Sequence, residues 1–485
     1  ARRQRQMCIR DRIQAAASVS RDTPVLVRVN GEVKLAKIGD IVDKIYEEAG
    51  NPPDWMPVEP REKIEVLTLD ESGRAVFRPV KWVLRHRTKE IYRVKYIGGE
   101  VKATGSHSIF VLDEETLKIK VKRVDELKPG DILITYSKQD SIGNQNYIDI
   151  AKYVDKKYNV IKNDVIEPAY WVGKAIPRKI TLDKTASRVL GVYLADGSLH
   201  SKTLLGIAGE VHRAINFSLG VSELGNYIDD IMEFARRLDV SCVMDNRGTY
   251  VLIDLNSRIL AEAFRNMFGE NARTKRVPPE IWRASQAVIR WFLDGYMADG
   301  FRTKKRQAKT YSTVNEWLAY EIAWLARLAG YTSSVWVVNG TGKNVGQKYW
   351  YVEIKDKKRG ADNAIGKLIP LKAIQRLVKL LNPVVKYNEK NVVNYFYEKR
   401  RRFVRAETAH KLVEYILENR RNELDDESKE LIDRIMKIVK GDIEITLVKS
   451  VEKIPYDDYV YDFSVPGTEA FFGGTVPVLL HNSGH

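Results

Sequence analysis

Between Thr23 and about Leu133 the chain is written in short apolar runs, PVLVRVNG, KIEVLTLD, EIYRVKYIGG, SIFVLD and DILITY, punctuated by Gly, Asp-Glu and Pro-Gly. Runs of that length rich in Val, Ile and Tyr predict strands, so this stretch reads as an all-β unit. The same texture returns only near the other end, where IEITLVKSVEKI, YVYDFSV and TVPVLL predict further strands. Between them the pattern changes to helical periodicity over 183–195, 222–238, 284–298, 314–329, 407–419 and 426–440. A β domain interrupted by an α/β insertion accounts for that order, because insertion into an exposed loop is tolerated. The expected boundaries are 1–17 and 483–485 as flanks, 18–140 and 441–482 as the two parts of the β domain, and 182–370 as the inserted domain. Residues 141–181 read as a linker or accessory DNA-binding segment, and 371–440 as a helical accessory region.

The insertion carries an internal repeat. VLGVYLADGSL at 189–199 recurs as WFLDGYMADGF at 291–301, each an apolar helical segment ending in Ala-Asp-Gly. Strand-like and basic sequence follows each copy, then a second helix, so the two copies imply a pseudo-two-fold module.

Composition narrows the class of partner. The 485 residues are 44% hydrophobic, as in folded globular chains, and the length suggests about three domains. Lys and Arg number 80 against 64 Asp and Glu, a net +16 that attracts polyanions; nucleic acid is the leading partner, and simple colloidal dispersal is the bland alternative. No apolar run approaches the roughly 18 residues of a membrane span, and the basic start lacks a secretory apolar region. A cytoplasmic, monomeric protein is the expectation. Cys8 and Cys242 fit neither a zinc spacing nor a disulfide framework.

The last residues, LLHNSGH, raise a chemical possibility. An Asn side chain that attacks its own backbone carbonyl forms a succinimide and cuts the bond to the next residue. A fold accelerates this by holding the amide in attack geometry and polarising the carbonyl, work that suits the imidazole of His481 beside Asn482. Ser483 would then present a nucleophile just beyond the cut.

SVSRDTPVLV and TGSH supply the matching beginning. The first resembles the opening motif of the inteins, self-splicing insertions related to Hedgehog autoprocessing domains, with Ser18 as first residue and Asp22-Thr23 in register. AAASVS also offers Ala17 as a rival first residue, but the Asp-Thr spacing favours Ser18. Thr104, Gly105, Ser106 and His107 resemble the second motif, Thr-x-x-His before an apolar strand, and LKPGD at 127–131 fits the turn that follows. YVYDFSVPGTEAFFGGTVPVLLHNS resembles the two closing motifs, with Asp462, His481, Asn482 and Ser483. Glu469 stands where many inteins carry a His. The resemblance implies that Ser18 attacks the carbonyl of Ala17 while Thr104 and His107 polarise the amide. Ser483 then takes the acyl group, Asn482 cyclises, and Asp462 couples the steps. The host protein would be attached covalently until excision.

The repeats resemble the paired signature of the LAGLIDADG homing endonucleases, often found inside inteins. Gly191 and Gly295 would let the two helices pack with close backbones, and Asp196 and Asp299 would lie side by side at their ends. Adjacent carboxylates call for divalent cations, and oxygen ligands favour Mg²⁺. KRVPPEIW places Lys275 as a candidate to polarise phosphate or water, with Lys309 as a second basic residue. Each strand of duplex DNA would be hydrolysed by one metal site. A lone Asp-Gly helix end is often only a C-cap. Candidate DNA-contacting strips contain Lys304, Lys305 and Arg306; Lys357, Lys358 and Arg359; and Arg400, Arg401 and Arg402. Each strip alone also suits a solvated face. The resulting fold class is a discontinuous all-β Hedgehog/intein (HINT) domain interrupted by an α/β LAGLIDADG domain. A splicing-impaired intein, or a β scaffold bearing a site-specific DNA-binding protein, is the competing function.

Overall fold

The computed structural model describes residues 18–203, 210–220, 224–298, 301–302, 309–355, 366–381 and 402–482. The chain divides into two compact units, residues 1–139 with 356–485, and residues 140–355. The expected pattern of a β domain split by an insertion is therefore present in space. No helix among the described residues is long and apolar enough to cross a membrane.

The first unit holds a thirteen-stranded sheet assembled from both ends of the chain. Its backbone is the strand Ile443–Ser464, one continuous element where the alternation predicted two strands. Register shifts between Val448 and Ser450 and between Pro455 and Asp458 bend it, and Pro455 sits at one shift, where a missing N–H costs no ladder bond. The bent strand pairs with Ile132–Tyr136 along Ile443–Leu447 and with Trp82–Tyr96 along the rest. Val19–Ser20 pairs with the long strand on one side and with Gly99–Ala103 on the other, while Trp82–Tyr96 joins those two. Four strands thus close on themselves around the start of the described chain.

One helix, Ile38–Glu48, interrupts the strands that the sequence pattern predicted there. Ile38, Ile41, Val42 and Ile45 recur at helical spacing and are all buried, so the segment buries one stripe instead of alternating. The accessory region contributes helices Leu371–Leu380, Ala406–Asn419 and Asp426–Lys440 to this unit. Where the chain leaves this unit, buried Asp442 accepts bonds from Lys138 Nζ (3.0 Å) and Gln139 N (2.7 Å), and also from Ala75 N (2.9 Å). The exit is thus tied to the start of the strand Ile443–Ser464 by charge-assisted bonds.

The second unit is built from two modules of one topology. In the first, the helix Lys184–Asp196 precedes a sheet ordered Gly197–Thr203, Glu210–Gly220, Tyr250–Asn256, Ser241–Asn246. In the second, Gln286–Tyr296 precedes Phe301–Arg302, Lys309–Thr313, Lys348–Lys355, Thr332–Asn339 in the corresponding order. Asp183 and Ser285 cap the two leading helices by accepting from the N–H of Ala186 and Val288. Residues 146–181 pack into the same unit. Asn159 Nδ2 and the Asp155 N–H reach Glu262, and Tyr153 Oη donates to Glu280 (2.7 Å).

Candidate functional site

The Asp22-Thr23 pair of the opening motif makes a tight turn. Thr23 N–H donates to the Ser20 carbonyl (3.1 Å), and Ser20 Oγ donates to Asp22 Oδ1 (2.5 Å). Burial alone would raise the Asp22 carboxyl, but bonds from Lys102 and Ser20 outweigh it and hold the group below its ordinary value. The turn fixes the direction in which Val19–Ser20, and Ser18 before it, enters the sheet.

Ser18 is fully buried. Its N–H donates to Thr104 Oγ1 (3.2 Å), and its carbonyl accepts from Thr104 N (2.9 Å). Val19 is registered with Tyr461 and with Ala103, so Ser18 takes the next position on both sides, opposite Asp462 and Thr104. Asp462 is buried, and its Oδ1 accepts from Phe463 N (2.9 Å). Thr104 and His107 belong to one bend, in which His107 N–H donates to the Thr104 carbonyl (3.1 Å). The imidazole of His107 is fully buried.

The other end of the chain reaches the same sheet. Val478–His481 pairs with Ala470–Gly473 and with Ser108–Leu112. Because Leu480 is registered with Ile109, Asn482 falls at the position of His107 two residues on. The four-residue span Thr104–His107 therefore has Ser18 at one end and the register position of Asn482 at the other. Asn482 is fully buried, and its N–H donates to the Glu469 carbonyl (3.1 Å). Among the described residues neither Nδ2 nor Oδ1 of Asn482 has a hydrogen-bond partner. A buried carboxamide with no partner is an energetic cost in the resting fold, and it leaves the amide nitrogen uncommitted. His481 lies edge-on to Phe110, with ring centroids 5.5 Å apart. Burial lowers its pKa, and the Glu469 carboxylate acts against that fall. Ser483 and Ala17 lie outside the described residues.

Sequence reasoning overlooked His86. It is buried on Trp82–Tyr96, registered with Val460, and its Nδ1 stands 3.4 Å from Ser18 Oγ. Burial pushes its pKa down to about 4. The available signal was the alternation in VLRHRT, in which Leu84 and His86 share one buried face.

In the second unit the two repeat helices meet backbone to backbone. A Cβ on Gly295 would sit 2.0 Å from the Arg188 carbonyl oxygen, and neither side is a side chain that could swing away. Asp196 is the last helical residue of the first copy. The Gly197 that follows has φ −69° and ψ 150°, so the Asp-Gly is not a left-handed C-cap. Glycine is needed there because a Cβ would meet Tyr193 O at 2.6 Å. Lys275 Nζ donates to the carbonyls of Tyr193 (2.9 Å), Ala195 (3.3 Å) and Gly197 (2.7 Å), gathering the open carbonyls of the helix end beside Asp196. Burial lowers its pKa to about 8, opposed by the Asp196 carboxylate. Tyr311 Oη donates to the same Ala195 carbonyl (3.0 Å). Lys309 is salt-bridged to Asp294 of the second repeat helix (3.1 Å).

Asp299 lies outside the described residues, as do Lys304, Lys305, Arg306, Lys357, Lys358, Arg359, Arg400 and Arg401. Arg402 is described, and it is engaged by Glu114 and the Gly130 carbonyl (2.7 Å) within the first unit. Among the described residues no cluster of three or more His, Cys, Asp or Glu side chains forms a metal site.

Known proteins resemble this chain in sequence along most of its length. Residues 26–482 match the family described as the intein splicing domain. Replication factor C small subunit of Methanocaldococcus jannaschii is 29% identical over 484 residues, covering 97% of this chain and 24% of that protein. Transcription initiation factor IIB of the same organism is 22% identical over 473 residues, covering 96% of this chain and 50% of that protein. The chain spans half or less of the length of these relatives. A solved transcription factor IIB Mvu mini-intein is 30% identical, covering 25% of this chain and 70% of that one, with a TM-score of 0.23. A variant of the homing endonuclease I-DmoI is 15% identical, covering 37% of this chain and 92% of that one, with a TM-score of 0.28. With the family match running through both β segments and across everything they enclose, the chain belongs to the inteins.

Proposed function

We propose that residues 18–482 are excised by autocatalytic protein splicing and that the insertion cleaves double-stranded DNA at a specific site. The observation that carries the splicing reading is the placement of buried Ser18 and the register position of buried Asn482 at the two ends of Thr104–His107. In this reading Ser18 Oγ attacks the Ala17 carbonyl, and Thr104 with His107 polarises the amide. Ser483 Oγ receives the acyl group from the resulting ester. Asn482 Nδ2, which no bond among the described residues holds back, attacks its own carbonyl while His481 polarises it. Asp462, at the register position beside Ser18, couples the first step to the later ones. Mass spectrometry of the full chain after incubation should show a species beginning at Ser18 and ending in Asn482 or its succinimide. Persistence of intact chain alone would overturn the reading.

For the insertion, support comes from the backbone contact of the repeat helices, in which Gly191 meets Phe292 and Gly295 meets Arg188. A carboxylate-only donor set fits a hard divalent cation, and Asp196 with Asp299 would hold Mg²⁺ there. When bound, the cation supplies an activated water and charge neutralisation for phosphodiester hydrolysis. Lys275 fixes the helix end that presents Asp196. The sheets of the two modules offer the duplex outer faces with exposed Trp336 and Val338 on one and Val243 and Tyr250 on the other, and the flanking basic strips would meet phosphates. Incubating the protein with DNA that carries the uninterrupted host-gene junction, with and without Mg²⁺, tests this half directly.

A further inference from the structure

We propose that His86 is the base that takes the Oγ proton of Ser18 in the first step of splicing, a role distinct from those of Thr104 and His107. The inference rests on the splicing reading above. Three observations carry it.

The first is contact: His86 Nδ1 lies 3.4 Å from Ser18 Oγ, and both side chains are buried. The second is register. His86 faces Val460, which also faces Ser20, whereas Ser18 takes the position facing Asp462. Side chains two residues apart on a strand share a face, so Ser18, Asp462 and His86 all point to one side of the closed four-strand ring. The third is division of labour. Thr104 meets the Ser18 backbone, its N–H donating to the Ser18 carbonyl and its Oγ1 accepting from the Ser18 N–H, and His107 lies at the register position of Asn482, while His86 meets the attacking oxygen.

The chemistry balances without a co-reactant. In the Nε2–H tautomer, Nδ1 accepts the Oγ proton as the Oγ–carbon bond to residue 17 forms. The carbon–nitrogen bond between residues 17 and 18 then breaks, and the Ser18 nitrogen takes up one proton to become a free amine. An amide and a hydroxyl are exchanged for an ester and an amine, with one proton moved from oxygen to nitrogen. Burial of the imidazole favours its neutral form, the form able to accept.

Hydroxylamine cuts the ester but not the amide, so release of residues 1–17 in hydroxylamine reports the step. In His86→Ala and His86→Gln of the full chain, release should slow by on the order of a hundredfold, with cleavage after Asn482 and the melting temperature retained. His86→Gln keeps a polar side chain of similar reach but has no basic nitrogen, so it separates proton transfer from packing. Release at the wild-type rate in either variant, or loss of both terminal reactions together, would overturn the assignment. If the wild-type chain itself gives no hydroxylamine-sensitive ester, the splicing reading falls with it; normal wild-type ester with unaffected variants removes His86 alone.

Discussion

A Cβ placed on Gly191 would lie 2.0 Å from the carbonyl oxygen of Phe292. The neighbour is backbone of the opposing helix, which cannot yield without moving the helix. We predict that Gly191→Ala destabilises the second unit by about 1–3 kcal/mol, the usual cost of overpacking a fixed contact. A unit of this size loses about 2–4 °C of melting temperature per kcal/mol. DNA cleavage should fall with it, while excision of residues 18–482 continues, because the helices belong to a different compact unit from Ser18 and Asn482. An unshifted melting transition would show that the helices are not locked at this point.

Asp196→Asn separates chemistry from packing at the same helix end. The substitution keeps the shape of the side chain and removes its charge, so the fold should survive and duplex cleavage should drop to background. Splicing should be unaffected. Duplex binding measured across a salt series should weaken steeply in both proteins, since phosphate contacts release counterions. Equal cleavage by the variant and the parent would remove Asp196 from the reaction.

Glu321 is buried in the helix Glu316–Leu328, where Oε2 accepts from the Val277 N–H (3.0 Å). Burial raises its pKa to about 8, against which the Val277 bond acts. The folded protein therefore binds a proton that the unfolded chain releases above about pH 4.5. The stability this lends is complete below that pH and is lost as pH rises through about 8. In Glu321→Gln the carbonyl still accepts from Val277, but no proton is bound. We predict that the stability advantage of the variant grows from about pH 5 to pH 8 by at most roughly 1.4 kcal/mol per unit, then levels off. Chemical denaturation at several pH values measures it, and parallel curves for the two proteins would sink the prediction.

The terminal residues stand out in the sequence because the proposed reactions demand particular residue types: a hydroxyl at Ser18, a carboxamide at Asn482 and the Thr104–His107 spacing. The repeat was legible for a similar reason, since only glycine at Gly191 and Gly295 permits the backbone approach that the structure has. His86 was not, because a lone His in a strand looks like any buried polar residue until Ser18 is brought to it from 68 positions away. The helix Ile38–Glu48 was hidden by length, as its three turns of apolar residues sit among strands of similar run. Lys275 was found as a basic residue between the repeats, but its hold on three carbonyls of Lys184–Asp196 depends on tertiary placement that no spacing encodes.

Glu469 occupies a position with φ 47°, a left-handed backbone that a non-glycine residue adopts at some cost. Its carbonyl receives the Asn482 N–H, while its exposed carboxylate acts on His481. Burial is the larger influence on that imidazole and lowers its pKa; the carboxylate raises it. If His481 polarises the scissile carbonyl by donating a proton, cleavage after Asn482 needs the protonated ring, and its rate falls as pH rises through the His481 pKa. Glu469→Gln removes the carboxylate, keeps the backbone bond, and so lets the pKa fall further. We predict that the alkaline limb of C-terminal cleavage moves to lower pH in this variant and that the rate at neutral pH declines. Hydroxylamine release at Ser18 should not change. Glu469→Gly, which also relaxes the left-handed backbone, should shift the pH profile in the same direction but melt higher, by up to about 1 kcal/mol of added stability. A pH–rate profile identical in Glu469→Gln and the parent would show that His481 is not the titrating group.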